Sequence, residues 1–288
     1  MKKFISLVLS VLMVVGSVFA LSSCGNKSYA DTLKIVEGVT LATEQYGIAV
    51  RKGSGLMKKI NTALVELAKD GTVKTIADKY GLTSEVCIDT TATFGEMTDA
   101  EKEDWNYVVG QGKMIIGYTD FAPISWKNDA GELVGFDVEL AKAVGQKIGL
   151  PVEFYLMDWD AKEALIEAKT IDCIWNGMTI TPARQEAWEV SIPYLNNKQV
   201  AVIRKEDAAK YKTLEDMKDA IAAAESGSAG EECIKNEDGT LNFGKEYKAL
   251  KSQKDLFVQL NAKAIDVGVM DSVMAGYYMT QKVETENK

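Results

Sequence analysis

Histidine is absent from all 288 residues, and with it go Ser-His-Asp and Cys-His catalysis and most zinc sites. Cysteine is scarce. Beyond Cys24 only Cys87, Cys173 and Cys233 remain, an odd number at wide spacing from which no disulfide framework can be read. Cys173 lies inside an apolar run and reads as a small core residue. Proline is rare, with four in the chain, and 47% hydrophobic content fits an ordinary globular core. Basic residues are outnumbered, 33 Lys and Arg against 42 Asp and Glu, so the surface should repel nucleic acid. Runs long enough to span a membrane are missing after the first 20 residues.

The one apolar run, 4–20, follows Lys2 and Lys3 and precedes LSSC at 21–24, the layout of a secretory signal ending in an acceptor cysteine. Cys24 is expected to become a lipidated first residue, anchoring the chain to the outer face of the cell membrane. A transmembrane helix is the alternative, but the run is barely of spanning length and gives way to Gly25, Asn26, Lys27 and Ser28. Without residues 1–23 the net charge moves from −9 to −11, and the remaining length suits one large or two modest domains.

Helical spacing of Leu56, Ile60, Leu64 and Leu67 predicts an amphipathic helix over 55–69, stopped by Asp70 and Gly71. A second helix carries Val73, Ile76 and Tyr80 and ends at Gly81. Residues 82–98 look like a linker with a short strand at 85–88, after which Thr98 and Glu101 form a capping box opening a helix to about 109. Strands are expected at 113–118, 152–156, 171–175, 200–203, 221–225 and 264–269. Asp137 should cap one intervening helix, Asp160 and Glu163 should box the next, and further helices are expected at 213–218, after Ser228, around Leu256 to Leu260, and at 272–281. Alanine-rich 221–225 locally prefers helix and is assigned as a strand from the neighbouring pattern and the resemblance below. The alternation argues for α/β architecture with parallel, doubly wound sheets.

The segment 171–184 carries the strongest chemical signal. An apolar run breaks into a polar turn, then Thr181 supplies an N-cap and Pro182 a first helical residue. Free N–H groups are expected beside Gly177 and Thr179. Arg184 falls in the first helical turn, where a cation opposes the helix dipole, so the arginine makes sense as the holder of an external carboxylate. A plain surface arginine is the alternative.

Four motifs, EQYGIAVRKG (44–53), GFDVELA (135–141), MDW (157–159) and NGMTITPAR (176–184), together resemble the polar amino-acid-binding family of substrate-binding proteins that serve ABC importers. The resemblance covers 33–81 and 113–281. In that family the first of these motifs and the two helices after it close the chain, whereas here they come first. The resemblance therefore implies a circular permutant, with 82–112 as connector and the ends near 281 and 33 close in space, within about 35 Å. It implies two doubly wound α/β lobes, one from 47–81 and 113–194, the other from 33–41 and 199–288, joined by hinge strands at 42–46 and 195–198. A tether at 24–32 would hold the second lobe nearest the membrane.

By the same resemblance, Arg184 and Thr179 grip the α-carboxylate of a bound amino acid, while Asp271 and the Gly177 carbonyl meet its α-ammonium. Phe121 and Trp159 match aromatics that sandwich the side chain. Tyr118, Asp120 and Glu225 are expected to select a polar or cationic side chain, with Ser228 beside them. The implied protein is a monomer without cofactor or metal, closing on a free amino acid and presenting it to a permease and ATPase complex. Two other classes compete. A dehydratase-like enzyme on this scaffold would need Glu225 as its acid or base; a sensory ectodomain would continue into a signalling segment.

Overall fold

The computed structural model describes residues 28–280. The signal segment, Cys24, most of the tether and the helix end at Gln281 lie outside them. In chain order the elements are α1 (Tyr29–Thr32), β1 (Leu33–Val50), α2 (Gly55–Lys69), α3 (Thr72–Tyr80), α4 (Asp99–Gly110), β2 (Met114–Tyr118), β3 (Trp126–Lys127), β4 (Leu133–Val134), α5 (Phe136–Ile148) and β5 (Val152–Leu156). They continue with α6 (Lys162–Glu167), β6 (Cys173–Thr179), α7 (Pro182–Ala187), β7 (Glu189–Val190), β8 (Leu195–Arg204), β9 (Ile221–Glu225), α8 (Ala229–Ile234), β10 (Glu246–Leu250), α9 (Gln253–Asn261), β11 (Val267–Asp271) and α10 (Ser272–Thr280).

One continuous hydrogen-bonded path, β10-β9-β11-β8-β1-β6-β2-β5, runs through the molecule. At one end β5, β2 and β6 are parallel, and at the other β10, β9 and β11 are parallel, each trio wound by helices. Between them lie β1 and β8, antiparallel to each other and to the trios they join. The sheet is therefore mixed rather than wholly parallel. The segments expected as hinge strands face each other within this pair, with Glu44 opposite Asn197 and Tyr46 opposite Leu195.

Alternation along β8 sends Val200 and Val202 into the cluster shared with α9 and α10, and Ala201 and Ile203 into a second cluster with Tyr211 and Met217. A third, around Ile174, Met178, Trp159 and Trp188, covers the outer face of the other trio. The alanines of β9 are fully buried, and both neighbouring strands and α9 press close, so small side chains decide the strand where local propensity favours helix.

Several local expectations are revised. Residues 85–88 form no strand, only a bridge from Val86 to Leu195 after a 3-10 turn at Thr83–Glu85. Residues 213–218 hold a 3-10 turn, Glu215–Met217, in place of a helix. Asp160 and Glu163 make no box, because a 3-10 turn at Trp159–Ala161 leads straight into α6. Asp137 is not a cap either: Gly135 holds that position and Asp137 is turned inward.

The connector is docked on the lobe. Thr98 and Glu101 form the capping box of α4, and Glu101 also pairs with Lys58 of α2 at 2.9 Å. Burial of Gly55 against the Glu101 carbonyl leaves no room for a side chain. At the opposite end of the chain, α1 rests on α10, with the Tyr29 and Tyr278 rings 6.2 Å apart. The start of β1 and the end of α10 are thus neighbours.

Replacing Gly55→Ala should force the α4 backbone off α2 and destabilise the protein by about 1–3 kcal/mol. Urea unfolding measures it, and an unchanged midpoint would contradict this packing.

Candidate functional site

A small cavity of about 20 Å³, room for about one water, lies where the two trios meet the crossing strands, so its two walls stand almost in contact. One wall comes from the β2-β6 side: Phe121, Trp159, Asn176, Gly177, Thr179 and Arg184. The other comes from the β9-β11 side: Glu225, Ser228, Ala229, Gln253 and Asp271. Both walls are strand C-terminal ends, where open α/β sheets bind ligands.

The Arg184 wall follows from the β6–α7 turn. Thr181 accepts the Arg184 N–H at 3.2 Å, and Pro182 opens α7. The guanidinium is buried, donates to the Thr179 carbonyl at 2.8 Å, and lies 5.8 Å from the Trp159 ring centre. Burial lowers its pKa from the usual arginine value, against opposing pull from Glu232, Glu44 and Asp271. Lys162 covers the same indole, its Nζ 4.8 Å from the ring centre, and burial lowers its pKa too.

Gly177 has φ +58, and a Cβ there would sit 2.7 Å from Phe121, so glycine lets that ring close over the strand. Its N–H is not free for a ligand, contrary to the sequence expectation. It donates to Asp137 at 2.8 Å, and Tyr194 donates its hydroxyl to the same oxygen at 2.8 Å. Asp137 thus pins the site strand from α5. Burial pushes its carboxyl up to about 7.

Across the cavity, Asp271 ends β11. Its Oδ1 accepts from the Tyr46 hydroxyl at 2.7 Å, from Gln199 at 2.9 Å and from Asn197. Its other oxygen accepts from Gln253, whose own carbonyl takes the Asp271 N–H at 2.9 Å. Glu225 shares Gln253 with it, and burial, then the Asp271 charge, push Glu225 up to about 8. Ser228 both lines the cavity and caps α8, accepting the Glu231 N–H at 3.2 Å.

The walls touch directly. The Gly227 carbonyl accepts from the Trp159 indole at 2.9 Å and from Arg184 at 3.4 Å, and Glu232 stands 3.6 Å from Arg184.

Among the expected residues, Tyr118 and Asp120 stay off the cavity. The Tyr118 ring packs edge-on against Phe154 of β5, 6.0 Å between centres, and Asp120 is exposed. The structure adds Asn176, Ala229 and Gln253 to the lining and Glu44 behind it. A period-2 signal was present for some of these: Glu44 and Tyr46 share one face of β1, as do Asn197 and Gln199 of β8. Gln253 carries no local signal.

The profile of the Bacterial extracellular solute-binding proteins, family 3, matches residues 114–263. The arginine-binding extracellular protein ArtP of Bacillus subtilis is 29% identical over 171 residues, 59% of this chain and 65% of that protein. The histidine-binding periplasmic protein of Escherichia coli is 30% identical over 54% of this chain and 58% of that one. The chain thus spans less than two thirds of these relatives. Among solved structures, holo ArgBP from T. maritima aligns with TM-score 0.55 at 30% identity, covering 60% of this chain and 75% of that one. A histidine-bound substrate-binding protein of an ABC uptake transporter from Streptococcus pneumoniae gives 0.56 at 31%, covering 61% and 72%.

Because the folded pKa of Asp137 stands above the unfolded value, the native state holds the extra proton between about pH 4 and pH 7. Stability is lost as pH rises through that window, by up to about 4 kcal/mol from this group. Asp137→Asn keeps an acceptor for Gly177 and Tyr194 and should flatten that part of the profile. Urea unfolding at pH 5 and pH 8 checks it; an equal pH loss in the variant would be the contrary result.

Proposed function

Since the chain belongs to the bacterial extracellular solute-binding proteins of family 3, we propose that it captures a free amino acid, polar or cationic, outside the cytoplasm and delivers it to an ABC importer. The observation that carries this reading is the division of the cavity, with a buried guanidinium on one wall and a buried carboxylate on the other. A zwitterion spanning the gap satisfies both. Neither wall alone offers a complete site, so binding favours closure of the two lobes.

In this reading Arg184 and Thr179 take the α-carboxylate, Asp271 and the Gly177 carbonyl take the α-ammonium, and Phe121 and Trp159 flank the side chain. Glu225 and Ser228 face its distal part. Excess carboxylate in and behind the cavity favours a cationic side chain. Tyr118 and Asp120 do not line the cavity and are left out of this reading. Relatives are named for arginine, histidine or cystine, and the first two agree with this charge balance. They are named as binding proteins, which supports capture without turnover over a dehydratase using Glu225.

The permuted order is part of the proposal. Matches span about 60% of this chain but about three quarters of the structures, which leaves in those structures an unmatched portion large enough to hold a counterpart of 33–81. Contact between α1 and α10 supplies the required neighbouring ends. Lipidation at Cys24 would then anchor the lobe carrying β8 to β11 nearest the membrane, with the protein acting as a monomer.

Calorimetry against the twenty amino acids tests the reading. Arginine, lysine, histidine, glutamine or cystine should bind with micromolar affinity, and tight binding of leucine with none of these would overturn it. Arg184→Gln and Asp271→Asn should each weaken binding by roughly tenfold to a hundredfold or more.

A further inference from the structure

Glu44 lies behind the cavity wall on β1, and its surroundings are built around two carboxyl groups rather than one. Its Oε1 accepts from Thr179 Oγ1 at 3.0 Å, from Asn197 Nδ2 at 2.6 Å and from Gln199 Nε2 at 2.8 Å. The same two amides donate to Asp271 Oδ1. Two side-chain amides thus clamp two carboxyl oxygens side by side on the same donors. Two carboxylates held that close repel each other, which favours a proton on one of them.

A second observation points to the same place. Gln199 is 1% exposed, and its Oε1 has no hydrogen-bond partner among the described residues. That oxygen is turned toward Gly230 of α8, which leaves both Nε2 protons to the two carboxyl groups. Burial and the Asp271 charge push the Glu44 carboxyl up to about 7, and the amides pull less strongly the other way. The other charged or titratable groups facing it are Tyr46 on β1, Arg184 on α7 and Cys233 on α8, with Glu225 beyond Asp271.

We propose that Glu44 is a positioning residue that stores a proton shared with Asp271 in the empty cleft and releases it to solvent when a cationic ligand group docks on Asp271. The inference rests on the amino-acid reading above for its ligand, but the shared proton itself does not. With the ligand's charge in place both carboxylates are ionised, Asp271 holding the cation and Glu44 holding the Thr179 hydroxyl and the two amides. The balance is one proton lost to buffer for each ligand bound. Binding therefore weakens as pH falls below the Glu44 pKa, by about tenfold at pH 6 relative to pH 8.

Two measurements on the full chain test this. Infrared difference spectra of the ligand-free protein between pH 5.5 and 8.5 should show a protonated carboxyl titrating near neutrality that is missing from Glu44→Gln. Arginine binding by calorimetry, in buffers of different ionisation enthalpy, should release about one proton at pH 6 and about none at pH 8.5. Glu44→Gln should still bind arginine, with the release at pH 6 largely abolished and the affinity difference between pH 6 and pH 8 reduced to about twofold. Glu225 titrates nearby, so the contrast between wild type and variant is decisive. Equal release in both proteins, or no Glu44-dependent infrared signal, overturns the proposal. An infrared signal without binding of any amino acid overturns the amino-acid reading and the release step with it, leaving the proton-sharing pair established.

Discussion

The pairing of β1 with β8 is the constraint on which the rest of this molecule depends. Among the described residues these two strands are the only sheet connection through which both parallel trios share hydrogen bonds, and they are antiparallel to every strand they pair with. Because β1 turns from β8 to β6 at Tyr46, the residues at that point belong to neither half alone. Side chains alternate along a strand, so Glu44, Tyr46, Asn197 and Gln199 converge on the Asp271 carboxylate. The polar cluster behind the cavity is a direct product of strand register.

Chemistry at the cavity follows from where that register places charge. Arg184 reaches in from a short helix whose first turn is otherwise a poor place for a cation. Its position is held by the Thr179 carbonyl below and the Trp159 ring beside it. Opposite, Asp271 is fixed on both oxygens and on its N–H by Gln253, Asn197, Gln199 and Tyr46, so its orientation is set before any ligand arrives. Asp137 does the same for Gly177 from a third direction.

Much of this was legible wherever the cause was local. The apolar spacing of Leu56, Ile60, Leu64 and Leu67 with the stop at Asp70 and Gly71 defined α2, and the Thr98 and Glu101 box defined the start of α4. Thr181, Pro182 and Arg184 announced the β6–α7 turn for the same reason. What escaped was non-local. Strand β10 is a half-exposed edge whose polar–apolar alternation covers only Glu246 to Ala249, too short to stand out. Asp137 carries every mark of a cap, yet its carboxyl is claimed by Gly177 and Tyr194 from distant parts of the chain. Tyr118 and Asp120 stand at the right strand end, but the tyrosine ring packs edge-on against Phe154 and neither residue lines the cavity. Gln253 touches Asp271 only because α9 and β11 fold together, which no spacing encodes.

The carbonyl of Gly227 is shared between an indole and a guanidinium from the facing half. Each such bond contributes about 1 kcal/mol, roughly a fivefold bias toward the shut form before any solute enters. In the proposed capture of a solute, that bias would set the contrast between vacant and loaded molecules: strengthened, it would hold scarce solute longer while vacant molecules resemble full ones; weakened, it would lower the background together with retention. One backbone oxygen would thus act as the gain control of the device, and its glycine holds φ +67, a conformation other residues rarely adopt, so the setting is hard to alter by substitution.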